Sequence, residues 1–297
     1  MSLSTLLAER DVKDRFRSEF KKPKLLVQKE LLAPAQSARY ALVGTAFDYL
    51  LRFYLQCLNP QTIRRRWVAE AGLRKLACHT VQEASYDIYS GALSLPRDDG
   101  SLDMARRIFD QAWIAHERYL ATGLLTDDVL KGAIYLAQLD TIFRCGYIDP
   151  NLGIAYRADI RDLRRLIDIV NPDDFLARET CLLNPTFGDA SRLVGGADAD
   201  LFIDGTLIDI KTVKHCRLEQ SYFNQLIGYF VLHELSGIGK ISPKPPISRL
   251  AIYFARHAHL AVWPVDELID RTTFPGILRW FSERAEQHIC AVVSVSA

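Results

Sequence analysis

Residues 195–214 read GGADADLFIDGTLIDIKTVK, and they concentrate the residues of this chain best suited to chemistry. Asp204-Gly205 between two apolar runs predicts a two-residue hairpin, because a type I′ turn needs positive φ at both central positions. With that turn, Asp200 faces Asp209 and Asp198 faces Lys211 across the two strands. Side chains two residues apart share a face, so all four gather on one side of the ribbon, while Ile208 and Ile210 help cover the other. Opposed carboxylates on a half-buried sheet repel each other, and a cation relieves the repulsion. Mg²⁺ or Mn²⁺ suits such oxygen donors and leaves coordination sites for water and a phosphate. Lys211 beside them is placed to orient or deprotonate an attacking water and to offset phosphate charge. The plain alternative is a solvated face on which Lys211 merely neutralises Asp198, and for an isolated DxK it is the commoner case.

The helix expected next carries Gln225 and Tyr229 in QLIGY. Spaced by four residues they lie one above the other and address the same place. Asp200, then the hairpin, then Asp209-Ile210-Lys211, followed by this QxxxY pair, resembles the PD-(D/E)XK nuclease superfamily in its RecB-like and Cas4-like branch. The resemblance is strong over residues 195–235 and only suggestive over 41–58 and 249–263. It implies a restriction-endonuclease-like α/β core, a mixed central sheet flanked by helices, in residues 186–297. It also implies Asp200, Asp209 and the Ile210 carbonyl as metal ligands, with Lys211, Gln225 and Tyr229 completing a catalytic site for DNA hydrolysis. Relatives begin their first core helix with a GxxxH-like motif. Here Gly44 has the spacing, but Asp48 stands where His is expected. Asp48 is thus either a further metal ligand or the partner of Arg52 in a structural ion pair. Relatives with an iron–sulfur cluster group three cysteines after QxxxY; only Cys290 follows Tyr229 here, so no cluster is expected.

The elements that must position these residues change character along the chain. Before about residue 185 apolar residues recur at spacings of three and four, predicting helices over 41–58, 61–79, 102–122, 127–145 and 160–170. The run 41–58 is the candidate first core helix, and residues 1–185 read as a mostly helical region. After residue 191, LFI, TLIDIKTV, RLAIYFA and HLAVWPV predict strands around a helix over 218–235, with a last helix over 275–288.

Composition sets the outer bounds. The 297 residues are 49% hydrophobic and 25% charged, which excludes a disordered or disulfide-scaffold polypeptide. No apolar run precedes the first charges in the manner of a signal peptide, and Asp48 and Arg52 interrupt the most membrane-like stretch. The expectation is a cytoplasmic protein with no membrane partner and six reduced, mostly buried thiols. His257 and His259 form an HxH pair, read as a turn or strand-end feature. A net charge of +1 gives no global pull on nucleic acid, so a polyanion must meet a local patch. Three basic runs qualify, at 21–24, at Arg64, Arg65 and Arg66, and at 161–165. The run at 64–66, just after the candidate core helix, is preferred for phosphate contacts. Tyr222 is a candidate for stacking on a base. DNA is the expected partner and RNA an alternative. Two other readings compete: a catalytically silent nucleic-acid-binding protein on the same scaffold, and, well below it, a glycosyltransferase using Asp198-Ala199-Asp200 as its DxD.

Overall fold

The structure is a computed structural model that describes residues 2–25, 29–63, 66–82 and 100–295, with the backbone alone for 79–82 and 289–295. It divides into two units: Met1–Leu31, Gln61–Ile63 and Asn171–Ala297 make a sheet unit, Leu32–Pro60 and Arg64–Val170 a helical unit. In chain order, α1 (Leu3–Leu6) and α2 (Arg10–Glu19) belong to the sheet unit. The helical unit follows with α3 (Tyr40–Leu58), α4 (Val68–Gln82), α5 (Ser101–Thr122), α6 (Asp127–Cys145) and α7 (Arg157–Asp168). The sheet unit resumes with β1 (Cys181–Leu183), α8 (Gly188–Leu193), β2 (Leu201–Ile203), β3 (Thr206–Lys211) and α9 (Gln220–Ser236). It ends with β4 (Arg249–Phe254), β5 (His259–Pro264), α10 (Val265–Leu268) and α11 (Phe274–Val295).

The five strands form one mixed sheet in the order β1-β2-β3-β4-β5. All neighbours are antiparallel except β3 and β4, which run parallel because α9 carries the chain back between them. The hairpin has the predicted register, with Leu201 opposite Ile208 and Ile203 opposite Thr206. Asp204 (φ 42°) and Gly205 (φ 79°) supply the two positive φ angles. The Asp204 carboxylate also accepts the main-chain N–H groups of Arg178 (2.6 Å), Glu179 (3.1 Å) and Thr180 (2.8 Å), tying the segment before β1 to the turn.

One face of the sheet, with Phe202, Leu207, Leu250, Ile252 and Phe254, packs into a core shared with α1, α2, α9 and α11. Gly228 makes this packing fit: a Cβ there would stand 3.1 Å from Leu7 and 3.2 Å from Leu3, so α1 lies against α9 at that bare backbone. Val12 and Phe16 fix α2 into the same core, and Arg284 of α11 holds Asp11 at 2.7 Å.

In the helical unit α6 is packed by α3, α4, α5 and α7. A Cβ at Gly72 would be 2.0 Å from the Leu139 carbonyl oxygen, so α4 and α6 meet backbone to backbone. The buried Asp140 is satisfied by the Tyr49 hydroxyl (3.0 Å) and Arg144 Nε (2.6 Å).

Several sequence expectations are corrected. The border expected at 185/186 falls after Val170, and residues 1–31, read with the helical region, belong to the sheet unit. The helix expected over 61–79 begins at Val68, because Ile63 bridges to Leu182 beside β1. The candidate first core helix forms as α3 but is part of the helical unit. Of the described cysteine side chains only Cys181 is buried; Cys78 and Cys145 are exposed, so the thiols are not mostly interior. No described helix is long and apolar enough to cross a membrane.

Candidate active site

A buried central strand accepts a carboxylate only with compensation, since an unpaired charge there costs several kcal/mol. Asp209 sits in the middle of the sheet with 1% of its surface exposed. Lys211, two residues on and therefore on the same face, supplies the compensation: its Nζ is 2.7 Å from Asp209 Oδ2. The same ammonium donates to Gln225 Oε1 at 2.9 Å, and Gln225 Nε2 donates to the Tyr229 hydroxyl at 2.8 Å. The two oppositely directed bonds fix which way the Gln225 amide points. Tyr229 is buried and stacks on Phe187, with ring centres 5.7 Å apart. The Tyr222 ring lies 5.1 Å from Lys211 Nζ in a cation–π contact. Tyr222, Gln225 and Tyr229 thus form one stripe of α9 aimed at the end of β3.

Asp200 reaches the same place by a different route. The paired rungs of β2 and β3 end at Leu201 and Ile208. Beyond them the Asp200 carbonyl accepts the Asn184 N–H at 2.8 Å, while its carboxylate Oδ2 accepts the Ile210 N–H at 2.6 Å. Asp198, one turn of the pleat earlier, bridges to Thr186. The segment leading into β2 therefore carries Asp198 and Asp200 to the Asp209 end of the hairpin.

The electrostatics follow from this crowding. Burial pushes the Asp209 carboxyl above the ordinary carboxylate range, and Lys211 draws it back only in part. Burial opposes the Lys211 charge, yet Asp209 and Asp200 outweigh it and hold the lysine above its ordinary value. Lys211 is therefore an ammonium at neutral pH, a hydrogen-bond donor and not a base. Burial first, then Asp209, Asp200 and Asp198, raise Tyr229 well above its ordinary value and keep its hydroxyl protonated.

Lys211, Gln225 and Tyr222 open onto a cavity of 490 Å³ whose far side is α1 and α2, including Lys13 and Arg17. Sequence reading missed these two. The signal was there in a basic pair at i and i+4, one residue after the apolar pair Val12 and Phe16. A second concavity of 750 Å³, lined by Thr206, Ile208, Arg249 and Val262, belongs to the sheet face opposite Asp209 and takes no part in this site.

The other expected site residues are placed elsewhere. Asp48 lies on α3 in the helical unit and is ion-paired with Arg52, the structural member of its two readings. Arg64 and Arg65 lie outside the described residues, and Arg66 is exposed in the helical unit. Arg164, in the run at 161–165, pairs with Asp127 at 3.0 Å. His257 and His259 flank the turn between β4 and β5, with both His257 ring nitrogens on main-chain carbonyls of Glu30 (2.8 Å) and Lys214 (3.1 Å).

For a metal, the donor set is the two carboxylates of Asp200 and Asp209 and the Ile210 carbonyl. Among the described residues no group of three or more His, Cys, Asp or Glu side chains comes together as a metal cage. Two carboxylates with a carbonyl fit Mg²⁺ or Mn²⁺, which keep several waters and share their shell with substrate phosphate; they do not fit a zinc or iron site. Compared with family models, with curated proteins and with solved structures, the chain matches none.

Proposed function

We propose that this chain is a Mg²⁺- or Mn²⁺-dependent nuclease of PD-(D/E)XK type, hydrolysing phosphodiester bonds of DNA. The observation that carries the reading is the chain of contacts Asp209, Lys211, Gln225, Tyr229, with Asp200 fastened to Ile210 beside it. Each member is a residue the motif resemblance requires, and a solvated strand face would not bury Asp209 or fix Lys211 from two sides.

In this reading Asp200, Asp209 and the Ile210 carbonyl would hold the metal, which when bound would supply Lewis-acid chemistry and offset charge on the phosphate. Lys211 keeps its proton and directs an N–H toward the attacking water or a non-bridging phosphate oxygen. Gln225 holds that ammonium in place, and the buried Tyr229 holds Gln225. Such positioning lowers the barrier because the donors need no rearrangement as charge develops.

The test is cleavage of end-labelled single-stranded and duplex DNA and RNA by the full chain, with Mg²⁺ or Mn²⁺. The wild type cleaves DNA, and Lys211→Ala loses at least about 100-fold in rate while still binding DNA. Binding by the wild type without cleavage of any of these substrates in either metal would replace this reading with that of a catalytically silent nucleic-acid-binding protein.

A further inference from the structure

Beside the DxK lysine the sheet unit holds a cavity of 490 Å³, within the range of roughly 300–1,000 Å³ typical of ligand sites. Its charged lining is one-sided. Lys13, Arg17 and Lys211 face it, and no carboxylate does. Its remaining polar lining comes from α1 and α9, from Ser4, Gln220 and Gln225 among others, and from the Tyr222 hydroxyl-bearing ring.

How α2 disposes its charges makes the imbalance specific. Arg10 lies 3.9 Å from Asp14 and Arg15 lies 3.0 Å from Glu19, while Asp11 is taken by Arg284. Lys13 and Arg17 are the exposed basic residues of that helix that form no ion pair among the described residues. One step round the helix from Val12 and Phe16, which anchor it in the core, they share a stripe and sit about 6 Å apart along the axis. Cations on a helix anchored in the core that line a concave site with no carboxylate in its lining select an anion, and two of them at that spacing suit two acceptors on one ligand.

Resting on the nuclease reading of the adjoining site, we infer that Lys13 and Arg17 grip the backbone phosphates of the strand that the site cuts, with Tyr222 stacking on a base of that strand. The helix α2 is then a substrate-binding element of the sheet unit. The shared chemistry is a phosphodiester backbone, presented either by a single strand or by a duplex.

The experiment measures binding without cleavage. The wild-type chain, Lys13→Ala/Arg17→Ala, and the charge-matched Arg192→Ala/Arg279→Ala are titrated in EDTA against a fluorescent oligonucleotide, single-stranded or duplex, between 50 and 200 mM KCl. Lys13 and Arg17 are exposed, so urea midpoints matching the wild type confirm that the variants fold. The Lys13/Arg17 variant is expected to bind at least about tenfold more weakly at low salt. Its slope of log K against log salt becomes shallower by about 1.4 for a single strand or about 1.8 for a duplex, two phosphate contacts in either case. The arm whose slope change corresponds to two contacts, with the larger loss of affinity at low salt, identifies the form gripped. The charge-matched variant keeps the wild-type slope. An equal slope in the two variants, or no oligonucleotide binding by the wild type at 50 mM KCl, overturns the inference. Wild-type cleavage with an unchanged Lys13/Arg17 slope removes this inference and leaves the nuclease reading standing. A reduced slope with no cleavage in Mn²⁺ does the reverse.

Discussion

Asp200 Oδ2 accepts the main-chain N–H of Ile210 at 2.6 Å, one residue past the last paired rung of β2 and β3. A side chain here does what a backbone carbonyl does elsewhere in the ladder, while the Asp200 carbonyl, directed toward the β1 side by the pleat, accepts from Asn184. The strands fork at this point without stranding a donor, and the fork is where Asp209, Lys211 and the α9 stripe converge. A polar group that serves the fold and the site together gives each role its own signature under substitution.

Asp200→Ala leaves the Ile210 N–H without its acceptor and is expected to destabilise the protein by about 2 kcal/mol. Asp200→Asn retains an acceptor oxygen and is expected to fall within about 1 kcal/mol of the wild type, yet to lose metal-dependent cleavage along with the negative charge. Urea denaturation and the cleavage assay together check this; equal stability of the two variants would show that the amide bond contributes nothing.

Asp204 combines a left-handed backbone with three accepted N–H bonds. Burial works against its ionised form, but the amides of Thr180, Arg178 and Glu179 prevail and hold the carboxyl below its ordinary value of 3.8. An acid with a lowered folded pKa stabilises the fold above its unfolded pKa, and that contribution disappears as pH falls through the folded value. Asp204→Ala is therefore expected to cost about 3 kcal/mol at pH 7, from lost bonds and from a Cβ without side-chain support at positive φ. The gap between variant and wild type should narrow below about pH 4 in chemical denaturation, and a gap independent of pH would refute the electrostatic share.

His233, on α9, has no exposed surface, and burial with Lys244 nearby pushes it from 6.5 down to about 4. The unfolded chain takes up its proton first as pH falls, so wild-type stability should decline between pH 6.5 and 4, by about 3 kcal/mol in all. His233→Gln lacks this titration and should show a correspondingly flatter profile over the same window. Parallel profiles would mean that the imidazole finds a partner for its charge in the fold.

What could be read from the sequence was local. Asp204-Gly205 announces its own turn, and the turn then fixes every rung of β2 against β3, so the meeting of Asp200, Asp209 and Lys211 was legible before any coordinates. The i and i+4 spacing of Gln225 and Tyr229 likewise places both on one stripe of α9. β1 was not legible, because Cys181–Leu183 is three apolar residues long and carries no periodicity. The helix α2 escaped notice because only Val12 and Phe16 of its ten residues are buried, too few to mark an apolar face. That residues 1–31 join a unit completed after residue 171 is set by long-range packing of Leu3 and Leu7 on Gly228, which no window of sequence contains.

That discontinuity bears on how the protein is made. Domains emerging from a ribosome tend to fold in the order of synthesis. The first helices, α1 and α2, leave the tunnel before the residues they must dock against have been translated, and α9 and α11 follow only after the whole of Leu32–Val170. The helical unit, nearly contiguous in sequence, can settle as it appears, while the opening segment waits with Leu3, Leu6, Val12 and Phe16 uncovered. Those four side chains gain their cover only once α9 and α11 have been made.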